Sequence, residues 1–123
     1  MGLDLRLLVI DGELPDRPYS HTCLSLDRTG ITEPVQEIEE KRGETLPGLY
    51  CNWATIPDGK WEGEHSYGEA TETPYGEPLH WVFVRHLKPL KDHESVTGSR
   101  LNKAAWAYLC ALPDLTRVVL YWH

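Results

Sequence analysis

The sequence predicts an α+β fold: a single domain over residues 1–123, with a mixed, mostly antiparallel sheet of about five or six strands and two helices packed on it. Three observations carry this. Short apolar runs of strand length recur at 3–10, 20–27, 49–55, 79–84 and 116–122. Segments 32–43 and 99–112 instead show helical spacing between capping residues. The 123 residues amount to one domain's length and contain no linker or low-complexity tract.

The first strand is read from Leu3, Leu5 and Leu7, which alternate, followed by the continuous run Leu8–Val9–Ile10. Asp11–Gly12 and Pro15–Asp16 break it. In the second strand Thr22, Leu24 and Leu26 share one face, and His21, Cys23, Ser25 and Asp27 the other. The pair reads as an antiparallel ribbon. A short amphipathic helix follows, with Thr32 as N-cap, Pro34 in the first turn, and an apolar stripe of Ile31, Val35 and Ile38. Lys41 and Arg42 suit its negative end, and Gly43 suits its left-handed C-terminal position.

Residues 49–55 alternate as a strand, and Pro57–Asp58–Gly59 signals a hairpin returning through Lys60–Trp61. Residues 63–78 show no period and read as a long loop, a length that often carries function. Residues 79–84 form a central strand with Leu79, Trp81 and Phe83 on one face and Val82 and Val84 on the other. The second helix starts at the N-cap Ser99 and stops before Pro113, burying Leu101, Ala105, Tyr108, Leu109 and Leu112. The last strand–helix–strand segment is long enough for a right-handed crossover.

A content of 41% hydrophobic and 25% charged residues is that of a globular chain, not a disordered one. The net charge of −7 opposes non-specific nucleic-acid binding, which needs a basic surface to displace counterions. It suits a basic protein partner, a surface that mimics nucleic acid, or plain solubility. Three scattered cysteines, Cys23, Cys51 and Cys110, point to a reducing compartment and buried thiols. No signal peptide, myristoylation signal or apolar run of spanning length is evident, so the expectation is a cytoplasmic protein without membrane contact.

No metal or cofactor is expected. His80 and His86 would share a strand face, but six residues of strand separate them by roughly 20 Å. Phosphate-loop, dinucleotide and nucleophile-elbow motifs are absent. Catalysis has only weak candidates: His21 and Cys23 as a base–thiol pair, with Asp27 to orient the histidine. A buried thiol, a satisfied histidine and a strand-end salt bridge account for the same residues. Gly98, Ser99, Arg100 and Lys103, which begin the second helix, are the candidates for an anion site; an ordinary N-cap with solvated charges explains them too.

The strongest recognition candidate is the acidic, aromatic segment around 63–78. Tyr67, Gly68, Glu69, Glu72, Tyr75 and Glu77 combine carboxylates, rings and tight-turn glycines with no Lys or Arg, and Trp53 and Trp61 extend the surface. A solvated loop whose tyrosines pack back on the domain is the competing reading.

SHTCLSLDR, EHSYGEATETPYGEPLHWV and NKAAWAYLCALPDLTRVVLYWH resemble patterns in small proteins of tailed phages and prophages. That family supplies no activity or catalytic residues to carry over. The resemblance implies a small accessory protein of the bacterial cytosol, acting on host factors or on immune nucleotide signals. Small size, acidity, the Glu/Tyr segment and the lack of an assembled active site make a non-catalytic binder and inhibitor of a host protein the leading expectation. A binder of a small nucleotide-type ligand is the alternative, and a small hydrolase comes third.

Overall fold

The computed structural model describes residues 4–14, 17–27, 30–52 and 67–123. The chain opens as one long antiparallel hairpin that bends across two sheets. Strands β1 (Leu5–Val9) and β4 (Thr22–Ser25) form its base, and β2 (Gly12–Leu14) and β3 (Arg17–Ser20) its tip. The register continues through the bend, from Val9↔Thr22 to Gly12↔Tyr19. Asp11 holds the bend: its carboxylate accepts from the His21 backbone N–H at 2.6 Å and from Thr22 Oγ1 at 3.1 Å. The expected ribbon is thus present, but its second strand divides at His21.

The remaining strands are β5 (Glu44–Leu46), β6 (Leu49–Asn52), β7 (Tyr67–Ala70), β8 (Leu79–Phe83) and β9 (Arg117–Trp122). The main sheet runs β4-β1-β9-β8-β5, with every neighbouring pair antiparallel. A second sheet runs β2-β3-β6-β7 and contains the parallel pair β3–β6. The helices are α1 (Thr32–Arg42), α2 (Val84–Leu87), α3 (Glu94–Thr97) and α4 (Arg100–Cys110), with a 3₁₀ turn at Lys88–Asp92 between α2 and α3. None of the described helices is long and apolar enough to cross a membrane.

Strand alternation builds three layers. Leu5, Leu7 and Val9 of β1 and Val118, Leu120 and Trp122 of β9 face the helices, against Val35, Trp106 and Leu109. Leu8, Val119 and Tyr121 face the second sheet, against Leu49, Cys51 and Ala70. The central strands are buried on both faces, which explains their continuous apolar runs. The indole of Trp122 donates to the Glu39 carboxylate of α1 at 3.1 Å, and His80 Nδ1 lies 3.5 Å from the same carboxylate.

Several expectations change in detail. The connection from β8 to β9 is not a parallel crossover, because the two strands are antiparallel neighbours. The α1 cap is Ile31, not Thr32: Ile31 is buried with helical angles (φ −78°, ψ −23°), and its C=O already accepts the first helical bond, from Val35 N–H at 3.3 Å, which leaves Thr32 inside the first turn. Gly43 is extended (φ −69°), not left-handed; glycine suits it because a Cβ would lie 2.5 Å from Glu39 O. The buried face of α4 is Asn102, Ala105, Trp106 and Leu109, while Leu101 and Tyr108 are exposed. The expected long loop at 63–78 contains a strand, β7 (Tyr67–Ala70), which pairs with β6, followed by the turn at 71–78. His86 shares no strand with His80, since the chain turns into α2 at Val84. The expected return strand at Lys60–Trp61 lies outside the described residues.

Candidate functional site

Residues 71–78 form a pinned turn. Thr73 N–H donates to Glu77 C=O at 2.8 Å, and Gly76 N–H donates to Thr73 C=O at 2.9 Å. Glu77 N–H also reaches Thr73 Oγ1 at 3.4 Å, and Glu72 bridges Pro78. Gly76 adopts φ +79°, a conformation that side-chain-bearing residues rarely take. Thr73 is buried beneath the turn, whereas Glu72, Tyr75 and Glu77 are exposed, Tyr75 at 51%. The turn therefore presents an aromatic ring and two carboxylates from fixed backbone.

The other candidates of this surface divide. Tyr67, Gly68 and Glu69 lie in β7, paired opposite Asn52, Cys51 and Tyr50. Trp53 and Trp61 lie outside the described residues.

The weak catalytic candidates go to separate environments. His21 stands at the hairpin bend, its ring edge-on to Tyr19 at 5.1 Å. Cys23 faces the second sheet, where Arg6 Nη1 approaches its sulfur at 3.8 Å while Arg6 Nε donates to His123 Nε2 at 3.2 Å. Burial raises the Cys23 thiol above its ordinary pKa, outweighing the lowering effect of Arg6. Such a thiol stays protonated and is a poor nucleophile. Asp27 lies at the start of α4, held by Asn102 and Ser99.

Burial likewise pushes the Cys51 thiol up to about 12, whereas Cys110 is exposed on α4. Alkylation of the native protein at mildly alkaline pH should therefore modify Cys110 first and spare Cys51 until unfolding. Intact-mass time courses followed by peptide mapping read this directly. Labelling of Cys51 as fast as Cys110 would contradict the burial.

Ser99 caps α4 as expected, its Oγ accepting from Asn102 N–H at 3.3 Å. The same hydroxyl donates to Asp27 Oδ2 at 3.3 Å. A carboxylate thus already faces the helix start, beside Gly98 and Arg100. Lys103 is exposed one turn further on.

One feature was not singled out in the sequence: a groove of about 330 Å³ between α1 and the α2–3₁₀ segment. Pro34, Ile38, Pro89 and Leu90 give it apolar surface, and Lys41, Arg42, Arg85 and His86 line it too. The signal was the basic end of α1 and the run RHLKPLK, but only packing brings them together. Among the described residues, no group of three or more His, Cys, Asp or Glu side chains is placed to hold a metal ion.

Comparison with protein-family models, curated proteins and solved structures found no match to this chain.

Proposed function

We propose that this is a non-catalytic binding protein that engages a cationic surface of a partner protein through the turn at 71–78. The observation that carries this is the exposed Tyr75 ring, flanked in sequence by the exposed Glu72 and Glu77 on a turn pinned by Thr73. A preorganised turn loses little conformational freedom on binding. Tyrosine is a frequent energetic anchor of interfaces, and exposed carboxylates steer a basic partner and set specificity. The separated His21, Cys23 and Asp27, with the thiol held protonated, favour occupancy over chemistry. The resemblance to small phage proteins points to a host protein as the partner and to inhibition as the consequence.

The test is affinity capture from bacterial lysate with the wild-type protein and the double variant Glu72→Lys/Glu77→Lys. The wild type should retain a specific protein and the variant should lose it, with circular dichroism unchanged. Equal capture by both proteins, or no specific capture by the wild type, would reject the reading.

A further inference from the structure

The groove between α1 and the α2–3₁₀ segment has a charge pattern unlike that of the chain as a whole. The protein carries a net charge of −7, yet Lys41, Arg42 and Arg85 line this groove against the single carboxylate of Glu37. That leaves an excess of two positive charges, counting three cations and one anion, with His86 neutral. Lys41 and Glu37 form a loose exposed pair at 3.7 Å. Among the described residues, neither Arg42 nor Arg85 lies within ion-pair distance of a carboxylate; the charge of Arg85 reaches Asp114, but that carboxylate is paired with Lys88 at 2.7 Å. Arg85 is instead positioned over the Phe83 ring, 5.3 Å from its centroid.

The two guanidinium groups come from different elements and act on the same place. The imidazole of His86 is pushed below its ordinary pKa, first by burial and then by the charges of Arg85 and Arg42. Like charges converging on one groove, with no carboxylate at ion-pair distance from either arginine among the described residues, favour an anion there. Two other hollows among the described residues differ: one contains the Asp27 carboxylate, and another is lined by Glu33 and Glu37.

The groove's volume lies at the low end of small-ligand sites. Its prolines, Ile38 and Leu90 provide apolar contact, and the arginine forks match the oxygens of a phosphoryl group. An excess of two positive charges complements a phosphate monoester close to its dianionic form. We propose that this groove binds a small phosphate monoester carried on an apolar or ring-shaped body. The site is separate from the turn at 71–78 and does not depend on the function proposed for it.

Calorimetry with phenyl phosphate, adenosine monophosphate and inorganic phosphate tests the assignment on the full chain. Phenyl phosphate or adenosine monophosphate should bind saturably and more tightly than inorganic phosphate. Arg42→Ala and Arg85→Ala should each weaken that binding by about tenfold or more, while Tyr75→Ala should leave it unchanged. Proton NMR of His86 supplies a second readout: the bound dianion should raise the imidazole's pKa by offsetting Arg42 and Arg85. Absence of saturable binding at millimolar concentration, or wild-type affinity retained in both arginine variants, would overturn the proposal. Inorganic phosphate binding as tightly as the organic esters would identify an adventitious ion only and overturn it too. So would an acidic peptide that bound in an Arg42- and Arg85-dependent way where the esters did not.

Discussion

Asn102→Ala should destabilise the fold by about 2–4 kcal/mol, since it leaves several backbone groups without partners. Asn102 is fully buried on α4. Its Oδ1 accepts from the Asp27 N–H at 2.7 Å, and its Nδ2 donates to Asp27 C=O and Ser95 C=O at 3.0 Å each. This pattern fixes the amide's orientation, because only one end can donate. One side chain thereby ties the exit of β4 to α3 and α4, across 75 residues of chain. Alanine removes all three bonds and leaves a buried void. Asn102→Asp should be no milder, because an oxygen would then face two carbonyl oxygens. Urea denaturation monitored by circular dichroism measures both effects. A loss below about 1 kcal/mol for Asn102→Ala would show that water replaces the amide without difficulty.

Trp106 should show the largest effect of truncation. It is 1% exposed and packs among Val35, Leu87 and Leu109 on the helix side of the main sheet. Its Nε1–H donates to the Leu87 carbonyl at 2.8 Å, where α2 passes into the 3₁₀ turn. Trp106→Ala should cost about 3–5 kcal/mol, the range for deleting a large aromatic from a core. Trp106→Phe keeps much of the apolar contact but leaves the Leu87 carbonyl without its donor, for about 1–3 kcal/mol. Urea melts of the two variants separate packing from hydrogen bonding. Equal losses would mean that the indole N–H carries the whole effect.

The α+β class was legible because β1, β8 and β9 carry apolar residues on both faces, as central strands do, and because Ser99 and Pro113 bracket the second helix. The division into two sheets was not legible. Nothing in the alternation of residues 20–27 marks His21 as the point where a strand leaves one sheet for another. The face of α4 differs from the expected one for a physical reason: pattern reading counts Leu101 and Tyr108 as buried and leaves Asn102 and Trp106 off the stripe. An asparagine that satisfies three backbone groups belongs inside, and the partners that satisfy it are distant in sequence. Leu101 and Tyr108, displaced from the core, are left 50% and 41% exposed.

The candidate sites divide in the same way. Glu72, Tyr75 and Glu77 were recognisable from composition, and the structure adds the buried Thr73 that fixes their turn. The basic groove was hidden because Arg42 and Arg85 are 43 positions apart, and helix packing alone brings them to one hollow. His21, Cys23 and Asp27 looked like a set because they alternate along one segment. The bend at His21 and the attachment of Asp27 to α4 separate them.

The most direct test of the binding-protein account is the affinity of the captured partner for wild-type protein and for Tyr75→Ala, measured by calorimetry at low and high salt. The account predicts that Tyr75→Ala weakens binding by about tenfold or more and that salt weakens the wild-type complex, as expected for an aromatic anchor beside steering carboxylates. An affinity unchanged by both the substitution and the salt would contradict it and remove the turn at 71–78 as the contact surface.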